Sequence, residues 1–126
     1  MMYNSIVDEI IDETYSKRIT WQNENPQLFQ NIIYNYNFAY RAYSCVYSRD
    51  KYEFKLLFVE KKFPDQHSDW EGIAEIYFPE LIVLQSSNVV GVINENNVNK
   101  DDLIRLAGAI ESNNEGMNSF INLFKK

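Results

Sequence analysis

One cysteine and one histidine, Cys45 and His67, are all that the 126 residues hold of either type. A lone thiol has no intramolecular partner. A secreted domain of this size usually depends on disulfide staples, so the sequence points to a reducing compartment. One Cys and one His also fall short of the ligand set of a structural zinc site. Glycine is scarce: Gly72, Gly91, Gly108 and Gly116 stand too far apart for a phosphate-cradling loop or a dinucleotide fingerprint. No apolar run approaches the length of a membrane span. Asp8, Glu9, Asp12 and Glu13 fall where a secretory signal would be apolar, so a cytoplasmic location is expected. Positive charge is missing from one long stretch, since no Lys or Arg occurs between Phe63 and Asn99.

The formal net charge is −6, from 18 acids and 12 bases. Asp65, Asp69, Glu71, Glu75, Glu80 and Glu95 lie in the base-free stretch, and the other twelve acids are balanced by all twelve bases. The whole net charge therefore belongs to one segment. A one-signed field steers an oppositely charged partner. It opposes nucleic-acid binding, which needs a basic surface. The plainer explanation is an acidic surface that keeps the protein soluble.

Apolar residues make up 45% and aromatic residues 15% of the chain, enough for the core of one domain over residues 1–126 and too much for a disordered chain. Ile6, Val7, Ile10, Ile11 and Tyr15 recur at helical spacing after a cap at Asn4 or Ser5. Acids near the start and Lys17 and Arg18 near the end of that helix suit its dipole. Asn25-Pro26 predicts a second helix start, with Leu28, Phe29, Ile32, Ile33 and Tyr36 on one face to about Asn35. A strand follows to about Tyr47, then a hairpin turn at Ser48-Arg49-Asp50. In the next strand, from Lys51 to Phe63, Leu57 and Val59 break the alternation, which predicts burial on both faces. Segments 70–78, 81–85 and 89–93 read as strands, with Pro79 at an edge or break, and Gly91 at a bulge or a close backbone contact. Asn99 caps a third helix whose buried stripe is Leu103, Ile104, Leu106, Ala107 and Ile110. A last short helix aligns Met117, Phe120, Ile121 and Phe124. Helices, then strands, then helices predict an α+β fold: a central antiparallel sheet of about five strands with N-terminal and C-terminal helices packed on it.

Catalytic chemistry is thinly represented. Asp65, His67 and Asp69 alternate, so an extended backbone would project them to one side as a metal or acid–base cluster. A polar loop beside Pro64 is the plainer explanation, and no metal or cofactor is expected. The Gly-x-Ser-x-Gly elbow of a serine hydrolase is absent. Cys45, in an aromatic run, reads as a small buried apolar residue. Of nine tyrosines, five fall between Tyr34 and Tyr47, where they cover a sheet face or an interface. Trp70 is more pointed, because an aromatic anchor between Asp69 and Glu71 is the pattern of a hot spot facing a basic surface. The candidate partner-binding residues are Asp65, Asp69, Trp70, Glu71, Glu75 and Glu80.

In size, acidity, expected location and lack of catalytic motifs the chain resembles the bacterial immunity proteins that protect a cell from its own or a neighbour's toxin. The resemblance implies a non-enzymatic protein that covers the basic active-site surface of a toxin, for instance a nuclease. Its partner would be a protein, with no nucleic acid and no membrane involved, and the chain would act as a monomer or homodimer. An escort chaperone for a secreted effector is the second expectation. A small-molecule-binding or hydrolytic α+β domain is the third, and it predicts a deep cavity lined by Tyr and Trp with a pKa-shifted acid.

Overall fold

A computed structural model describes residues 2–64, 75–113 and 115–125, and places five antiparallel strands in the simple order β1-β2-β3-β4-β5. The strands are β1 (Gln22–Glu24), β2 (Ala39–Arg49), β3 (Tyr52–Pro64), β4 (Glu75–Gln85) and β5 (Asn88–Ile93). Helix α1 (Met2–Tyr15) precedes them, and α2 (Lys100–Ser112) and α3 (Glu115–Asn122) follow. The architecture is the expected α+β sheet flanked by terminal helices, although its five strands are not the five predicted.

β3 is the centre. Leu56 and Phe58 point to one face, and Leu57 and Val59 to the other, all essentially closed to solvent. This is the two-sided burial that the broken alternation predicts. On the first face Tyr43, Cys45, Leu56, Phe58, Leu81 and Ile93 meet Val7, Ile10 and Ile11 of α1 and Leu103, Leu106, Ala107 and Ile110 of α2. On the second face Ala42, Leu57, Val59, Ile82 and Leu84 are covered by Ile33, with Phe29, Ile32 and Tyr36 against them.

The cover of that second face is not the predicted helix. Asn25 does cap, accepting a hydrogen bond from Gln27 N, and Pro26 opens a 3-10 turn that ends at Phe29. A second such turn spans Tyr36–Phe38, after Asn35 adopts a left-handed conformation with φ 57°. Asparagine and β-branched residues have low helix propensity, and this stretch holds Asn31, Asn35 and Asn37 with the adjacent pair Ile32-Ile33. The apolar contacts of the predicted face are kept without the helix, except that Leu28 remains exposed.

β4 runs unbroken through Pro79, where two strands were expected. The proline is tolerated because β5 pairs only with Leu81–Gln85, so beside Pro79 the strand has no second neighbour among the described residues. Ser86 and Ser87 both take positive φ, 52° and 69°, and close the β4–β5 hairpin in the manner of a two-residue primed turn. Gly91 does sit beside a bulge, a register shift opposite Val83 and Leu84, but a Cβ placed on it would meet nothing within 4 Å. The close contact expected there is therefore absent.

The acids of α1 do not serve its dipole, since none lies in the first turn and Lys17 and Arg18 fall beyond its end. Instead Asp8 pairs with Arg105 of α2 at 3.3 Å, and Glu9 pairs with Arg49 of β2 at 3.0 Å. α2 begins as predicted, with Asn99 accepting from Asp101 N, although Ile104 of its expected stripe faces solvent. Phe120, Ile121 and Phe124 of the last helix are likewise exposed.

Candidate functional site

Of the six predicted binding residues, Asp65, Asp69, Trp70 and Glu71 lie outside the described residues, as do His67 and the strand expected over 70–74. The residues that bracket them are placed. Pro64 pairs with Glu75 across the β3–β4 ladder, so segment 65–74 joins two strand ends held in register. Glu75 is exposed at the start of β4.

Glu80 is elsewhere. It faces the opposite side of the sheet from Glu75, is only 7% exposed, and binds the ammonium of Lys61. Its charge is neutralised inside the protein, which removes it from the expected acidic surface. Lys61, 1% exposed at its side chain, also donates to the carbonyl of Tyr34 at 2.9 Å. Its Nζ lies 5.3 Å from the Phe78 ring centroid and 5.9 Å from that of Phe63. Asn94 Nδ2 donates to the other Glu80 oxygen at 3.0 Å. Every charge of this cluster has a partner, as burial requires. Phe63 carries the packing further, contacting Phe38 at 4.8 Å and Phe78 edge-on at 5.8 Å.

A second buried carboxylate, Glu60, occupies the helix-side face of the same sheet end. Tyr77 Oη donates to its Oε2 at 2.6 Å, and Arg41 Nε lies 3.1 Å from Oε1. Arg41 also reaches Glu111 of α2 at 2.9 Å. Lys62 sits over the Tyr40 ring at 4.6 Å, and Lys100 near that of Tyr77 at 6.0 Å. The strand ends that carry segment 65–74 are thus braced on both faces by paired charges and aromatic rings. The tyrosines here are partly buried structural donors as well as surface, a division that the run of five between Tyr34 and Tyr47 does not reveal.

Burial, then the hydrogen bond to Glu60 and its negative charge, push the Tyr77 phenol well above its ordinary value. Burial likewise raises Tyr40, Tyr43 and Tyr47. The unfolded chain loses its phenolic protons near pH 10, before the folded one does. The stabilisation is therefore complete below about pH 10 and is lost as pH rises through the folded-state values. Urea titrations between neutral pH and about pH 11 are expected to show a midpoint that falls from about pH 10 upward. In Tyr77→Phe that fall is expected to be shallower.

The described residues offer little catalytic chemistry. Burial pushes the Cys45 thiol up to about 12, which leaves it protonated and fits the reading as a small apolar side chain. No group of three His, Cys, Asp or Glu residues able to hold a metal occurs among the described residues. A cleft of about 320 Å³ opens between α1 and the sheet, lined by apolar side chains including Tyr3, Ile6, Leu56, Leu81 and Val83. Tyr3 and Tyr47 line it, Trp21 does not, and the charged groups at it, Glu9 and Arg49, pair with each other. Among the described residues no helix is long and apolar enough to cross a membrane. No protein-family model matches the chain, and neither curated proteins nor solved structures give a match.

Proposed function

We propose that this chain is a non-enzymatic acidic binding protein, an immunity protein that neutralises a toxin by covering a basic surface on it. The observation that carries the reading is the confinement of the entire net charge to residues 63–99. Glu80, neutralised by Lys61, is subtracted from that surface. Glu75 and Glu95 are exposed, and the acids Asp65, Asp69 and Glu71 lie with Trp70 in the segment between Pro64 and Glu75. Braced strand ends reduce the ordering cost of binding, and acids steer the encounter.

The partner can be obtained by affinity capture from the native organism or from the neighbouring coding sequence. Its association with the purified chain is expected to slow as salt rises. Changing Asp69, Glu71 and Glu75 together to Ser is expected to lower the on-rate by about tenfold or more, within the span that electrostatic steering contributes. An on-rate that neither salt nor the triple change alters would remove the acidic segment from the mechanism. One observation favours the second reading, an escort chaperone for a secreted effector: an uncharged apolar strand is exposed at one sheet edge. Chaperones of that kind are usually dimeric.

A further inference from the structure

The helix-side face of the sheet is not covered as far as β5. α1 closes its middle with Val7, Ile10 and Ile11, but Tyr3 and Ile6, at the start of the helix, are 44% and 37% exposed. Between them and the sheet lies the cleft of about 320 Å³, floored by Phe54, Leu56, Val83 and Gly91. That volume is at the lower end for small-molecule sites. Gly91 keeps the cleft open. It pairs with Val83, so a side chain at 91 would stand beside Val83 on the same face, and an added Cβ meets nothing within 4 Å. The ladder bulges at the neighbouring Val90, which also lines the cleft, and bulges are common beside functional sites.

We infer that this cleft binds a small organic amine, an apolar or aromatic body that carries a protonated nitrogen. The body is set by the floor and walls, which are almost wholly aliphatic and aromatic. The nitrogen is set by the mouth. Glu9 lines it and pairs with Arg49 at 3.0 Å. Glu13, one turn further along α1, lies beside the phenol of Tyr47, which lines the cleft as well. Among the described residues Glu13 is in no ion pair, so two carboxylates stand here against one guanidinium. α1 reinforces that excess, since Met2–Tyr15 holds Asp8, Glu9, Asp12 and Glu13 and no base. Tyr3 and Tyr47 add rings, whose faces attract an organic cation. An anion would find only Arg49, which is already paired. The cleft lies at the start of β3, remote from the Pro64–Glu75 end, so an occupant leaves the proposed acidic surface free.

Titration of the full chain with tryptamine, indole and indole-3-acetate, followed by amide chemical shifts and calorimetry, is the test. The three probes share a ring system and differ in charge. Tryptamine is expected to bind about tenfold more tightly than indole-3-acetate, with shifts centred on Val90–Ile93 and the first half of α1. Glu13→Gln removes the unpaired charge without changing shape, and is expected to bring tryptamine down to the affinity of indole. Gly91→Leu fills the cleft and is expected to abolish binding while the circular dichroism is unchanged. The absence of shifts at millimolar tryptamine overturns the inference, and so does indole-3-acetate binding as tightly as tryptamine. Tryptamine binding that survives Gly91→Leu places the amine elsewhere on an acidic chain and equally overturns it. Changing Asp69, Glu71 and Glu75 to Ser is expected to leave tryptamine binding unaltered, so this proposal and the acidic surface fail separately.

Discussion

Lys61→Met is expected to destabilise the fold by about 3–5 kcal/mol, the range for removing one partner of a buried ion pair. The cost arises from what stays behind. Glu80 would remain 7% exposed with only Asn94 as a described partner, and the carbonyl of Tyr34 would lose the ammonium that anchors it to the sheet. The loss reaches beyond the pair, because that anchor holds the non-helical stretch after Asn25 over Leu57, Val59 and Ile82. Replacing both partners, as Lys61→Met with Glu80→Leu, is expected to recover part of the loss: no desolvated charge remains, while the Tyr34 carbonyl and the Asn94 amide still lack the partners they had. Urea denaturation of the two single variants and the double variant measures both effects. A single-variant loss under about 1 kcal/mol would mean that the pair is solvated, as surface ion pairs are.

Trp21→Ala carries the other large effect. The indole is fully buried in the helix-side core. Its Nε1 donates to Thr14 Oγ1 at 3.0 Å, and Thr14 in turn donates to the Ile10 carbonyl at 2.7 Å, so the ring ties the approach to β1 into α1. Truncation removes the buried area and leaves a cavity, at a cost of about 3–5 kcal/mol. Trp21→Phe keeps most of the packing and removes the hydrogen bond. It is expected to cost about 1–2 kcal/mol, including the partner lost to the Thr14 hydroxyl. Thermal unfolding of both variants separates the two contributions. Since the chain has two tryptophans, the Phe variant also leaves Trp70 as the sole indole, a fluorescent reporter in the acidic segment.

These two residues also show where the sequence could be read and where it could not. Leu57, Val59 and Lys61 follow one another at period two, as do Leu84, Ile82 and Glu80 on the neighbouring strand. Continuing either apolar row by one step leads to the buried pair. The signal was present, but a charged residue at the end of a strand ordinarily faces water. Trp21 gave less warning, because it precedes a strand of three polar residues that pairs with Ala42–Ser44 of β2. β1 therefore has no periodicity to detect. The stretch after Asn25 had a helical apolar spacing that tertiary packing uses, while its asparagines and Ile32-Ile33 deny it the helix. The α+β class, the cap at Asn99 and the two-sided burial of β3 were legible because each depends on neighbours in sequence. Which acids of 63–99 face outward depends on strand register, and that is why Glu75 and Glu80 separate.

The central claim is that the segment between Pro64 and Glu75, carrying Asp65, Asp69, Trp70 and Glu71, contacts a protein partner. Hydrogen exchange of the chain, alone and saturated with the captured partner, addresses it directly. The account predicts new protection in peptides spanning residues 65–75, with α1 little changed. Protection confined to α1 or α2, with residues 65–75 exchanging as in the free chain, would contradict it.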